Sequence, residues 1–193
     1  MAKTSTSEAS SLLILRLAPA IKLDDQQFFD LCQLNRDLRL ECTKEGDLVI
    51  MPPTGGETGR MNFDLAVAFG HWVHVDSTGI GFDSSTGFTL PNGVKRSRWE
   101  ALTPQQRQQF PPPCPDFVVE LRSPLDALAD VQAKMREYID SGAQLGWLID
   151  PLEKKVYIYR PGAPVECLDD PQTVSGDPVL PGFVLDLGRI WNP

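Results

Sequence analysis

The sequence predicts an α/β fold, also describable as α+β, in which a mixed central sheet is flanked by helices. Three observations lead there. Apolar residues recur at helical spacing in two separated stretches, Met61 to Trp72 and Leu128 to Ile139. Short runs such as "FVVEL", "LGWLID" and "KKVYIYRPG" are rich in strand-forming residues. Residues 116 to 150 read as strand, helix and strand, the order of a βαβ unit with a right-handed crossover.

Residues 1–11, "MAKTSTSEASS", are small and polar, so a disordered tail is expected, with a single domain over 12–193. "LLILRL" is a strand or a docking segment, which periodicity leaves open. "LDDQQFFDLCQLN" offers Asp24 or Asp25 as an N-cap and Phe28, Leu31 and Cys32 as an apolar stripe, hence a short helix. "LRLECTKEGDLVIM" is two alternating runs around Glu45-Gly46, the pattern of a hairpin.

"PPTGGETG" breaks the chain before a buried amphipathic helix carrying Met61, Leu65, Ala68, Phe69 and Trp72. "GIGFDSSTGFTLPNG" reads as one or two strands with a turn at Asn92-Gly93. "WEALTPQQRQQFPPPCP" is a short helix and a proline-rich connection. After the strand at 117–121, Ser123 as N-cap and Pro124 at the first position predict a helix over about 124–141. Its core stripe is Leu128, Val131, Met135, Tyr138 and Ile139, with Lys134 beside it. The closing "VLPGFVLDLGRIWNP" is apolar enough to dock on the body.

A formal charge of -8 and a pI near 4.7 exclude a protein that coats nucleic acid electrostatically, while allowing an enzyme that meets it at one local site. Cys32, Cys42, Cys114 and Cys167 have no CxxC spacing, so neither a zinc site nor a disulfide framework is expected. The apolar run from Leu12 is too short to span a bilayer and has no signal-peptide layout. A cytoplasmic protein without membrane association follows as the expectation.

The strand "FVVEL" poses the chemical question, because Glu120 sits among apolar residues and a buried carboxylate is costly unless a cation, a metal or several donors meet it. Alternation puts Glu120 on one face with Val118 and Arg122, and Phe117, Val119 and Leu121 on the other. Glu120 and Arg122 lie about 7 Å apart on that face, which makes Arg122 an ion-pair partner for Glu120. Asp116 has the same parity but lies roughly 13 Å away, too far to share an ion. The arm of Lys134 is long enough to reach the Glu120 face from the following helix.

The run "PDFVVELRSP", the helix with Lys134, "SGAQLGWLIDP" and "KKVYIYRPG" resemble a bacterial family of endonuclease-like proteins, the Uma family, which is expanded in cyanobacteria. It lies in the PD-(D/E)XK restriction-endonuclease-like superfamily. The resemblance runs from about residue 23 to the end, with softer similarity in "EGDLVIMPPTGGETG" and "GFDSSTGFTLPNG". It implies a restriction-endonuclease-like mixed sheet and metal-dependent hydrolysis of DNA phosphodiester bonds with Mg²⁺ or Mn²⁺. Glu120 matches the acidic member of the (D/E)xK element and becomes a metal ligand. Arg122 stands at its lysine position, and Lys134 supplies the lysine that serves the attacking water. The family's second ligand belongs to a Pro-Asp strand after "LPNG", yet no Asp lies between Asn92 and Trp99 here. Asp83 is then the second metal ligand by default.

That departure keeps a different class open, a catalytically inactive nuclease-like module for binding or assembly. A homodimer is a candidate state in either case. Other features have plainer readings: His71 and His74 as core or surface residues, and "KRSR" at 95–98 with Arg107 as a solvated loop or phosphate contact. Asp83 before Ser84-Ser85 fits turn chemistry, and Glu57 in "GGETG" could face the site.

Overall fold

Asp24 ends an extended segment and accepts the Gln27 N–H, while the Gln27 side chain returns to the Asp24 N–H. This reciprocal cap starts α1, Asp25–Leu34. A computed structural model describes residues 13–43, 45–83, 86, 99–111 and 114–192. The tail 1–11, the "LPNG" turn and the "KRSR" run lie outside the described residues. The contacts gather into two compact units that divide in sequence between Pro53 and Thr54.

The first unit holds α1 and a three-stranded antiparallel sheet, β1 (Leu13–Leu15), β2 (Arg39–Cys42) and β3 (Leu48–Met51), in the order β1-β3-β2. "LLILRL" thus contributes a strand, and the hairpin forms around Gly46, whose φ of +90° suits a residue without Cβ. The Asp47 side chain accepts the Leu17 N–H at 2.9 Å and ties the chain after β1 to the hairpin.

The second unit is built on a mixed sheet, β4 (Phe117–Leu121), β5 (Leu145–Asp150), β6 (Lys155–Tyr159) and β7 (Glu166–Asp169), in that order. β4 and β5 run parallel, joined through α4 (Leu128–Asp140); the other pairs are antiparallel. Every residue of β5 is buried, which explains why "LGWLID" is a nearly continuous apolar run. One face packs Trp147, Leu145 and Ile149 with Phe117, Val119 and Leu121 against α2, Gly56–Asp76. Met61, Leu65, Ala68, Phe69 and Trp72 supply the helix side, as their spacing implies.

The C-terminal segment closes that layer. A small hairpin, β8 (Thr173–Ser175) with β9 (Val184–Asp186), and α5 (Gly188–Trp191) bring Val174, Phe183, Leu185, Leu187, Ile190 and Trp191 into the same core. The opposite face packs Val118, Leu148 and Tyr159 under α4 through Leu128, Val131, Met135, Tyr138 and Ile139. Each of these apolar side chains contributes roughly 1.5–3 kcal/mol when fully buried. Gly146 permits the close approach, since a Cβ there would lie 2.6 Å from Met135 Cε.

Two local expectations need correction. α4 does not start at Ser123-Pro124 but at Leu128, with Ala127 as N-cap. Asp126 takes the Ser123 N–H on its side chain, and its own N–H binds the Ser123 carbonyl, so 123–126 close a turn before any helix begins. α2 begins inside the glycine stretch at Gly56, because burial of Thr58 with Met61 and Leu65 outweighs the weak helix propensity of two glycines in the first turn. Most of "GIGFDSSTGFTLPNG" lies outside the described residues, and its described start, Gly79–Asp83, carries no strand. β7, β8 and β9 are short and too polar for alternation to reveal. The short helix α3, Pro104–Gln108, does form, with a Thr103–Gln106 capping box.

Candidate functional site

β4 presents alternate side chains to opposite faces, and Glu120 points to the α4 side as its parity requires. What meets it comes from α4. Lys134 Nζ lies 3.1 Å from Glu120 Oε1, and the Tyr138 hydroxyl donates to the same oxygen at 3.1 Å. Lys134 and Tyr138 are four apart on one helix face, and the ammonium stands 5.9 Å from the centre of the Tyr138 ring. Glu120 Oε2 has no hydrogen bond or ion pair among the described residues. The side chains of Glu120 and Lys134 are 26% and 32% exposed, so the pair is reached by solvent and contributes on the order of 1 kcal/mol or less to stability.

Arg122 does not pair with Glu120. Its Nη1 lies 2.7 Å from Asp150 Oδ2, and its Nε donates to the Asp126 carbonyl at 3.2 Å. β4 ends at Leu121, so Arg122 leaves the strand's alternation and swings to the end of β5. There Asp150 is wholly buried and also accepts the N–H of Leu152 at 3.0 Å and of Glu153 at 3.4 Å. A buried carboxylate with this many donors is satisfied in place.

Tyr138 and Asp150 escaped sequence reasoning. Tyr138 falls on the core stripe and counts as packing by periodicity, although it lies one turn beyond Lys134 on the helix. Asp150 is the same puzzle as Glu120, a carboxylate closing an apolar strand, and that signal could have found it. Asp116 does backbone work: its carbonyl accepts the N–H groups of Gln144 and Leu145 and sets the start of β5 beside β4. Asp83 accepts the Thr86 hydroxyl at 3.1 Å, the turn chemistry expected of it. His71 and His74 are exposed on α2. Arg107 donates to the Glu100 carbonyl and stands over the Trp99 ring.

Among the described residues no three His, Cys, Asp or Glu side chains gather as a metal cluster. The donor set at Glu120 is nevertheless of the type magnesium accepts, since that ion takes one or two carboxylates and keeps several waters. Glu120 is the carboxylate that would hold it, and Asp83 is engaged with Thr86 instead. No described helix is long and apolar enough to cross a membrane.

Comparison with curated proteins finds no match. Among solved structures, the chain is similar to "a putative nuclease belonging to DUF820 from Anabaena variabilis ATCC 29413", with a TM-score of 0.62 and 19% identity over 88% of this chain and 97% of that one. At that identity the likeness is one of fold, the mixed sheet flanked by helices expected of a restriction-endonuclease-like protein. Residues 25–188 match the Uma2 family, described as "Putative restriction endonuclease". That match takes in the whole four-stranded sheet, α4 with Lys134 and the strand with Glu120, and the chain belongs to the Uma2 family.

Proposed function

We propose that the protein is a Mg²⁺- or Mn²⁺-dependent DNA endonuclease with Glu120 and Lys134 at its centre. One observation carries this reading: Glu120 Oε1 is anchored by Lys134 and Tyr138, while Oε2 has no partner among the described residues. Asp150, by contrast, has both oxygens engaged by protein donors. When bound, a divalent ion supplies Lewis acidity and charge neutralisation at a phosphate oxygen.

The chain's own groups do the rest. Tyr138 and Lys134 hold the carboxylate through Oε1. The Lys134 ammonium stands beside the carboxylate and is the cation that would meet a scissile phosphate or an attacking water. Arg122, held by Asp150, keeps the chain after β4 in place rather than joining the Glu120 pair. Family membership supports a nucleic-acid substrate.

The test is cleavage of supercoiled plasmid with Mn²⁺, run beside Glu120→Ala and Lys134→Ala purified identically. Cleavage lost in Glu120→Ala, with an unchanged melting curve, is the expected result. Equal cleavage by wild type and mutant sinks the reading. A second reading, an inactive nuclease-like assembly module, is favoured by the absence of an Asp between Asn92 and Trp99. It calls for no thermal shift with millimolar Mg²⁺ or Mn²⁺, whereas the enzyme reading calls for saturable stabilisation that Glu120→Ala removes.

A further inference from the structure

Arg122 directly follows β4 and Pro151 directly follows β5, so both stand at the carboxyl ends of the parallel pair. Ligands of open α/β sheets characteristically sit outside such ends. Here a cavity of about 210 Å³ opens between them, closed on its other sides by Glu57 and Thr58 of α2 and by Trp191 of α5. Its walls are otherwise apolar, with Leu152 at a half-exposed rim.

Two ionic groups face this space. The guanidinium of Arg122 is fixed through Nη1 on Asp150 and Nε on the Asp126 carbonyl, which leaves Nη2 without a partner among the described residues. The Glu57 carboxylate is exposed and likewise has no partner among them. Trp191 is pinned in orientation by its Nε1 donating to the Pro171 carbonyl at 2.7 Å. Arg122 and Trp191 are therefore held in place before any ligand arrives.

The volume falls below the ~300–1,000 Å³ of sites for drug-sized ligands and suits one ring system. The chemistry narrows it further. A phosphate offers Arg122 acceptors but is repelled by Glu57, and a purely apolar ring leaves both charges unanswered. A flat heteroaromatic ring with acceptors and donors on its edge answers the walls and both charges together. We propose that this cavity holds a single unstacked nucleobase, and that guanine fits its edge, with O6 or N7 accepting from Arg122 and N1–H and N2–H donating to Glu57. The inference rests on the nuclease reading and deepens it to base preference. Arg122 directly follows β4, the strand that carries Glu120. Removing a base from a duplex costs a few kcal/mol, which makes single strands or unpaired bases the favoured substrate.

The test is binding of fluorescein-labelled ten-thymidine strands, with or without one central guanine, followed by anisotropy in EDTA so that no cleavage intervenes. The single guanine is expected to tighten binding about tenfold, within the ~1–3 kcal/mol of a bidentate base contact. One adenine in its place should give no such gain. Glu57→Gln, at an exposed position that folding tolerates, should cut the preference below about twofold, and Leu152→Trp should do the same by filling the rim. Absence of guanine preference in the wild type, or a preference that Glu57→Gln leaves intact, overturns the proposal. Glu120→Ala should bind with the wild-type preference. A protein that prefers guanine yet never cleaves DNA would keep the base site and discard the nuclease reading.

Discussion

Lys134 and Glu120 belong to different elements, yet Lys134 Nζ and Glu120 Oε1 stand 3.1 Å apart. The helix that crosses back over β4 makes this meeting, because its stripe of Leu128, Val131, Met135, Tyr138 and Ile139 must face the sheet. Lys134 then falls on the flank of the stripe, where only its ammonium reaches the Glu120 face. Tyr138, one turn on, reaches the same oxygen from within the stripe.

Tyr138→Phe keeps the ring in its packing and deletes one of the two donors on Glu120. A hydrogen bond to a charged group is worth about 1.5–3 kcal/mol, so plasmid cleavage should fall by about 10- to 100-fold. The melting temperature should shift by only a few degrees for a loss near 1 kcal/mol. Undiminished cleavage would reduce Tyr138 to a packing residue.

Asp150→Ala removes one partner of an ion pair whose carboxylate is wholly buried. The guanidinium of Arg122 is left without its anion, and urea denaturation should show a loss of about 3–5 kcal/mol. Replacing both residues, as in Arg122→Met with Asp150→Leu, should recover much of that loss. A single-mutant effect under 1 kcal/mol would show that the pair does not hold the end of the parallel strands together.

Gly146→Ala places a Cβ 2.6 Å from Met135 Cε and 3.3 Å from Val118 Cγ2. The end of Met135 is flexible enough to move, so the expected cost is about 1–3 kcal/mol by overpacking. Met135→Ala alone leaves a cavity and should cost about 2–5 kcal/mol. The double mutant should be more stable than the sum of the two losses, since each relieves the other. Strict additivity in urea denaturation would refute the contact. Because Met135 neighbours Lys134, Gly146→Ala should also lower cleavage.

Burial pushes the Cys114 thiol up to about 11, an effect that a hydrogen bond from the Ala143 backbone partly offsets and Asp116 reinforces. The folded value lies above the ordinary 9.0, so folding favours the protonated thiol. That contribution is complete below pH 9 and is lost as pH rises through about 11. Iodoacetamide at pH 8 should therefore modify exposed Cys167 well before Cys114, by peptide mass mapping. Early modification of Cys114 would contradict its burial.

Periodicity was enough for the large elements. The stripes of α2 and α4, the all-buried β5 and the Asp24 cap all follow from local pattern and end chemistry, and so does the parity that sends Glu120 toward α4. Short polar strands such as Thr173–Ser175 and Val184–Asp186 left no comparable trace, because three residues make too little alternation to stand above chance. The start of α4 departs from its local signal for another reason. Ser-Pro is a good helix opening, but Asp126 competes for the Ser123 N–H and closes a turn first.

By itself the sequence determined that a carboxylate would sit on the inner face of an apolar strand, with cations two residues along and one helix away. It could not determine which cation answers it. Arg122 is nearest in sequence, yet β4 ends at Leu121, and the next residue is free to turn toward the buried Asp150. Lys134 and Tyr138 are distant in sequence, and only the packing of α4 on β4 brings their donors to one oxygen. Pairing of charges depends on distance in space, and that distance is set by how apolar faces close on one another.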